Sequence, residues 1–303
     1  MEVVFIGTKI RRKKLIPGTF NPVFKEIFTC PECRNYTCSL ISKITNIDFD
    51  YLKRNLKVEN TTLPIDRSSE KNNDTDVLLS VEGNIINLEM NNDYYDGLFE
   101  RNNLYAYKVM GRSIRREDKY LDYKRLVQIN LDSFIKFKKE ISVFKMMEID
   151  THEIESESYI KYHISLPIIT KKYYNKEKLS DLEKMLFLIA TNEVKDLENV
   201  SRGDEILMEY EKKIKDLSED ELYVNLFDAD EDARMVQNSK EAYHKKIARE
   251  EGIKEGREEG RKEGRKEGRN EIVLNMIKDG LDPDLIIKYT GISKEELDYL
   301  INV

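Results

Sequence analysis

The chain of 303 residues is long enough for one sizeable core with an appendage, or for two domains. Charged residues make up 36% of it, above the quarter typical of globular proteins, so part of the chain must be a solvated, charge-rich segment. A net charge of −7 argues against coating nucleic acid non-specifically. It leaves room for a local basic groove, for which KIRRKK (9–14) and GRSIRRE (111–117) are the candidates.

Several protein classes are excluded by what the sequence lacks. No apolar run reaches the roughly 18–20 residues that a membrane span requires. The opening MEVVFIG places apolar residues before basic ones, the reverse of a secretory signal, and three cysteines are too few for a disulfide framework. There is no phosphate-binding glycine loop and no Gly-x-Ser-x-Gly motif. We therefore expect a soluble, cytoplasmic protein without a membrane partner.

Helical and extended patterns alternate along the first two thirds of the chain. Residues 1 to about 60 carry helical spacing in NPVFKEIF and CSLISKITNI, and the polar stretch 60–74 predicts a loop. After it the chain predicts, in order, a hairpin at 75–93, a helix at 94–114, strands at 124–134 and 159–169, and a helix at 180–194 with a capping box at Ser180 and Glu183. This alternation favours the α/β class.

A charged segment with a glycine at every fourth position, EEGIKEGREEGRKEGRKEGRNE, follows at 250–271. Five helical glycines cost roughly 5 kcal/mol relative to alanine, and charge pairs three residues apart return only a few tenths each. One interpretation is a charged, semi-rigid spacer. The other is a small-residue stripe that brings two copies together as a homodimer, although such a stripe drifts by some 40° per repeat on a straight helix.

The tail, 272–303, predicts a compact run of short helices. Its DLIIKYTGISKEELDYL has the spacing of a DNA-binding helix–turn–helix. The second helix, however, holds one lysine and three acids, which favours a small packing module over a reader of bases.

The three cysteines, Cys30 and Cys33 in CPEC together with Cys38, suggest half of a zinc site. A structural zinc site needs four ligands, and the three histidines are distant in sequence. Packing of the thiols in a helical core explains the same residues, and whether they have a further role stays open.

The hairpin carries the clearest chemical signal. A two-residue turn at Glu82-Gly83 places Asp76 opposite Glu89, and Asp74 opposite Asn91, on one face of the two strands. The other face is apolar, with Val77, Leu79, Ile86 and Leu88. Two acids facing each other inside strands repel. A divalent cation such as Mg²⁺ would remove the conflict, whereas the alternative is an exposed face where nearby lysines make opposed acids tolerable.

Motifs along nearly the whole chain resemble one nuclease family. NPVFKEIF, TDVLLSVEGNIINLEMN, FERNNLYAYKVM, YKRLVQINLDSF, the glycine–charge repeats and TGISKEELDYL together resemble the Rpn-like, transposase-associated branch of the PD-(D/E)XK nucleases. The resemblance implies a restriction-endonuclease-like α/β core, a mixed central sheet flanked by helices, with a C-terminal charged helix and a small helical tail. The corresponding domains are 1–245, 246–271 and 272–303.

The same resemblance implies an active site. Its Asp and Glu fall on Asp76 and Glu89, as ligands of Mg²⁺ or Mn²⁺, and its third position, commonly Lys or Gln, falls on Asn91. Asn91 would then position the attacking water, while Arg101 and Lys108 on the next helix would contact the DNA backbone. Glu26 is an optional third carboxylate, with a solvated helix face as the alternative.

The implied function is a metal-dependent DNA endonuclease that hydrolyses phosphodiester bonds in mobile-element recombination. The alternative is a catalytically silent relative that keeps the fold as a DNA- or protein-binding module. The residue that separates the two is Asn91, because it is a neutral, short amide at the position of a longer donor.

Overall fold

The computed structural model describes residues 14–63, 73–113 and 124–301. Its helices, apart from one 3-10 turn at Pro31–Cys33, are α1 (Asn21–Thr29), α2 (Arg34–Thr45), α3 (Phe49–Asn55), α4 (Leu98–Arg112), α5 (Leu166–Tyr174), α6 (Asp181–Ala190), α7 (Val194–Ser201), α8 (Glu205–Glu219), α9 (Glu221–Lys278), α10 (Pro283–Thr290) and α11 (Lys294–Ile301). Most of both predicted basic stretches, residues 9–13 and 114–117, lies outside the described residues.

The strands are β1 (Lys57–Val58), β2 (Thr62–Leu63), β3 (Asn73–Asp74), β4 (Val77–Val81), β5 (Asn84–Asn91), β6 (Arg125–Asp132), β7 (Ile141–Met147) and β8 (Ile154–Ser165). Six of them form one sheet in the order β1-β4-β5-β6-β8-β7. The neighbours β5–β6 and β6–β8 are parallel and the other pairs are antiparallel. The sheet is therefore mixed and flanked by helices, as the predicted fold class requires.

The predicted register of the hairpin is confirmed. Val81 pairs with Asn84 and Val77 pairs with Leu88, so the turn is Glu82-Gly83, and Gly83 has the positive φ that such a turn demands. Asp76, one residue before β4, is then in line with Glu89.

The predicted opposition of Asp74 and Asn91 is wrong. The ladder between β4 and β5 begins at Val77, and Asp74 pairs instead with Thr62 in a separate two-stranded sheet. The chain turns away between Asp74 and Val77 because β2 offers these residues a second hydrogen-bonding edge.

Strict alternation along β5 and β6 gives the sheet two different faces. The apolar face carries Ile86 and Leu88 of β5 and Ile129 and Leu131 of β6, all fully buried in the main core with α1, α2, α6 and α8. The opposite face carries polar residues at every second position of the same strands. Such a face would ordinarily be left to solvent.

Here α4 covers the polar face. A small apolar cluster of Leu78, Ile85, Ala106, Val109 and Leu126 joins the helix to the sheet at one end. Beyond this cluster the space between helix and sheet is filled by polar side chains, which are therefore buried and must hydrogen-bond to one another.

Two predicted elements need correction. The strand predicted to reach residue 169 ends at Ser165, and Leu166-Pro167 begins α5, because proline at the first turn of a helix loses no helical hydrogen bond. Strand β7 was not predicted, since its residues pair only on one side, at the edge of the sheet, and most of them stay partly exposed.

The C-terminal part begins as one continuous helix, α9, which includes all five glycines of the charged repeat. A methyl group added to any of these glycines would meet nothing within 4 Å. The chain divides into two compact units, Met1–Asp228 and Ala229–Val303. The second has its own small core of Val273, Ile286, Ile292 and Leu297, as the predicted helical tail requires. The domain boundary predicted at residue 245 lies inside α9 and stays a prediction.

In the described parts of the chain, no helix is both long enough and apolar enough to cross a bilayer.

Substitution of Gly18 tests the packing of the first unit, and Gly256 in α9 serves as the comparison. A Cβ at Gly18 would overlap the buried Tyr210 hydroxyl and lie 3.0 Å from the carbonyl oxygen of Ile189. We expect Gly18→Ala to destabilise the protein by about 2 kcal/mol, because the core must shift. Gly256→Ala, with open space around it, is expected to raise helix stability by up to about 1 kcal/mol. Thermal melting followed by circular dichroism checks both signs, and equal melting of the two variants would contradict this packing.

Candidate active site

Asp76 and Glu89 meet where the hairpin ends. Asp76 is partly buried, and its Oδ2 accepts a hydrogen bond of 2.8 Å from the backbone N–H of Met90. Glu89 is 2% exposed, and its Oε1 accepts a bond of 3.0 Å from the amide of Asn87. The alternative that these acids lie on an exposed face is therefore excluded for Glu89.

Burial makes this pair of carboxyl groups hard to ionise together. The pKa of Glu89 is raised to about 8, first by burial and second by the charge of Asp76. The pKa of Asp76 is also raised by burial, against the opposing effect of the Met90 N–H. Near neutral pH the pair therefore retains a proton.

Helix α1 supplies two polar residues to this pair that sequence reasoning missed. The side chain of Asn21 hydrogen-bonds Asp76, and the charge of Lys25 lowers the Asp76 pKa. Glu26, the optional third carboxylate, is instead held by Lys213 of α8, with 2.7 Å between Oε1 and Nζ. It therefore belongs to the contact between α1 and α8.

Asn91 lies in a buried polar network beneath α4. Its Nδ2 donates to Oδ1 of Asp132 at 2.8 Å, and its Oδ1 accepts from Nδ2 of Asn102 at 3.2 Å. The other Asp132 oxygen lies 2.8 Å from Nδ1 of His163. All four side chains are at most 3% exposed, so each end of the Asn91 amide already has a protein partner.

The network continues along β6. Nδ2 of Asn102 also donates to Oδ1 of Asn130 at 3.1 Å, and Nε2 of Gln128 donates to the same oxygen at 3.2 Å. The hydroxyl of Tyr159 donates to Gln128 at 2.7 Å. Because most of these groups satisfy one another, the network fixes the side chains above β5 and β6 in single orientations.

Of the two cations predicted to contact DNA, Arg101 is the one placed at this site. Its Nε and Nη2 donate to Oδ1 of Asn102 at 3.3 and 3.2 Å. Its charge lowers the pKa of both Asp76 and Glu89. Lys108 lies two turns further along α4 and is half-buried.

The residues present have the chemistry to bind a hard divalent cation such as Mg²⁺. Among the described residues, no three or more His, Cys, Asp or Glu side chains are grouped to hold a metal. Mg²⁺ nevertheless binds through one or two carboxylates and keeps several waters. The carboxyl groups of Asp76 and Glu89, both with raised pKa values, supply such ligands, because a cation would take the place of the proton that the pair retains.

The three cysteines are buried as free thiols. Cys30 Sγ donates to the Ile27 carbonyl at 3.6 Å and Cys33 Sγ to the Glu209 carbonyl at 3.7 Å. The Cys30 thiol thus bonds back to the last turn of α1, and the Cys33 thiol links the start of α2 to α8.

A comparison with known families matches most of the chain. A sequence model described as "PD-(D/E)XK nuclease family transposase" matches residues 21–244. The chain belongs to this family. Searches of curated proteins and of solved structures returned no match. Membership of the PD-(D/E)XK transposase family confirms the resemblance and makes this a nuclease-fold protein.

Some of the site was open to prediction and some was not. The alternation of Gln128, Asn130 and Asp132 in a strand predicted to be buried was a visible signal of a polar layer. His163 gave none, since it is 31 residues from its partner Asp132. Asn21 and Lys25 lie on a helix whose contact with the hairpin depends on the tertiary fold.

The raised pKa of Glu89 gives a pH dependence of stability. Between about pH 4.5 and 8 the unfolded chain has released a proton that the folded protein still holds, so the free energy of unfolding falls as pH rises through this window. Glu89→Gln removes the effect. We expect the free energy of unfolding of Glu89→Gln to be nearly equal to that of the wild type at pH 4.5. At pH 8 it should exceed that of the wild type by roughly a few kcal/mol. Urea unfolding in EDTA measures the difference, and one that did not vary with pH would contradict the assignment.

Proposed function

We propose that the protein is a metal-dependent DNA endonuclease that hydrolyses phosphodiester bonds in mobile-element recombination. The observation that carries the proposal is the pair formed by the partly buried Asp76 and the buried Glu89 at the end of the hairpin. Two acids in that position destabilise a folded chain unless a cation compensates them. Family membership supports nuclease chemistry and DNA as the partner.

In this proposal Asp76 and Glu89 would hold Mg²⁺ or Mn²⁺, with a main-chain oxygen near Met90 as a further ligand. When bound, the metal would supply a Lewis acid for the phosphate and would lower the pKa of a bound water. Asp76 is kept in place by the N–H of Met90 and by Asn21. Glu89 is kept in place by Asn87 and gives up its proton when the cation binds.

Asn91 is proposed to orient the attacking water. Its Nδ2 carries two hydrogens, of which Asp132 takes one, so the second remains to donate to a water. Asp132, itself held by His163, fixes the plane of the amide. Lys108, half-buried on α4, is proposed to contact the DNA backbone.

A second candidate function is a catalytically silent DNA- or protein-binding module with the nuclease fold. The observation that favours it is the state of Asn91, whose neutral amide is hydrogen-bonded at both ends within the protein. An amide with these two bonds holds β5 against β6 and α4, and this structural role needs no catalysis.

The C-terminal unit is proposed to support a homodimer through its helical region. The five glycines of α9 leave its surface open to close approach by a second helix. A cytoplasmic location completes the proposal.

The first function predicts metal-dependent nicking of supercoiled plasmid. The wild type should nick DNA with Mg²⁺ or Mn²⁺ and not with EDTA, and Asp76→Asn and Glu89→Gln should each reduce the rate by at least about 100-fold. These near-isosteric variants keep the fold, so circular dichroism should be unchanged. Agarose-gel kinetics measure the rates.

Metal binding separates the two candidate functions. With Mn²⁺ at a hundred times its Kd, the nuclease should gain about 2.7 kcal/mol of stability, and Glu89→Gln should gain much less. A folded wild type that neither nicks DNA nor melts higher with Mn²⁺ would favour the silent module. Nicking by Asn91→Lys alone would then identify position 91 as the cause of silence.

A further inference from the structure

Apart from the proposed metal, no group has yet been assigned to the negative charge that develops on the phosphate oxygens during hydrolysis. Phosphoryl transfer relies on cations placed at those oxygens. Position 91 offers only a neutral amide. The two described cations whose charges act on the carboxyl pair are Lys25 of α1 and Arg101 of α4.

Arg101 is held in place by neutral groups. Its guanidinium donates twice to Oδ1 of Asn102, and its Cζ lies 5.9 and 5.5 Å from the ring centres of Tyr95 and Tyr105. It forms no ion pair within 4.0 Å with any described residue. Its positive charge is therefore not cancelled by a direct carboxylate partner among the described residues.

Asn102 is itself fixed by the sheet. Its Nδ2 donates to Oδ1 of Asn91 and to Oδ1 of Asn130, and it is 1% exposed. With both amide hydrogens directed at the strands, its Oδ1 must point back towards Arg101. Asn102 thus orients the guanidinium relative to β5, the strand that carries Glu89.

We propose that Arg101 is the phosphate-binding cation of this site, with its guanidinium donating to a non-bridging oxygen of the scissile phosphate and Asn102 acting as its positioning residue. The inference rests on the proposed nuclease function. It gives Arg101 a role at the reacting group, in place of the general contact with the DNA backbone that the sequence predicts.

Arg101 fits this role better than Lys25. The charge of Arg101 acts on both carboxyl groups, whereas that of Lys25 acts on Asp76. A guanidinium also matches the fork of two phosphate oxygens, and it cannot lose its charge by burial.

The test uses Arg101→Gln and Arg101→Lys in the full chain, with Lys195→Gln as the control for loss of one charge. Lys195 is exposed on α7. We expect Arg101→Gln to nick plasmid at least about 100-fold more slowly while it binds Mn²⁺ roughly fivefold more tightly, because a nearby positive charge is gone. Arg101→Lys should recover part of the rate. Lys195→Gln should match the wild type in both assays.

The opposite signs of the two effects separate this role from a structural one. A misfolded site would lose rate and Mn²⁺ affinity together, and that result would overturn the inference. Asn102→Ala should slow nicking with little change in Mn²⁺ affinity, as expected if it only orients Arg101. Titration calorimetry with Mn²⁺ alone provides the affinities.

The experiments distinguish an error in the role of Arg101 from an error in the proposed nuclease function. A wild type that nicks DNA beside an equally active Arg101→Gln overturns the inference only, whereas no Mn²⁺ binding and no nicking overturn both. If the wild type binds Mn²⁺ without nicking, anisotropy of a labelled duplex with Ca²⁺ decides. Arg101→Gln must then bind the duplex more weakly than Lys195→Gln does, and equal affinity contradicts the inference.

Discussion

The repulsion between the charge of Asp76 and that of the buried Glu89 is the interaction on which the arrangement of the site depends. Burial raises the pKa of both carboxyl groups, and the charge of Asp76 adds to the effect at Glu89, whose pKa is raised to about 8. Without a cation, such a pair at the end of a regular hairpin lowers the stability of the folded protein. Binding of a divalent cation would return that stability, which links folding of the site to its chemistry.

The rest of the polar layer follows from the same strand alternation. Because β5 and β6 put apolar residues into the main core, their other residues must face α4, where water is scarce. The network of Asn91, Asp132, His163 and Asn102 satisfies these groups internally. It also fixes the direction of Arg101, so the polar layer has a part in the proposed chemistry as well as in packing.

The sequence predicts those contacts of the site that are made within the hairpin, and it does not predict contacts between residues distant in sequence. The register that sets Asp76 opposite Glu89 follows from a two-residue turn and a period of two, both readable within twenty residues. The contact of Asn91 with Asp132 depends on the register of parallel strands, which no turn specifies, and 41 residues separate the partners. Asp74 was placed wrongly because a second strand edge, β2, competed for it.

The most direct test of a cation between these carboxyl groups is the number of protons released when it binds. Calorimetric titration of Mn²⁺ at pH 7, repeated in buffers with different ionisation enthalpies, measures that number. With the Glu89 pKa at about 8, the account predicts close to one proton released per Mn²⁺, a release that declines towards pH 9 and is absent in Glu89→Gln. Binding without proton release at pH 7, or equal release from Glu89→Gln, would contradict it.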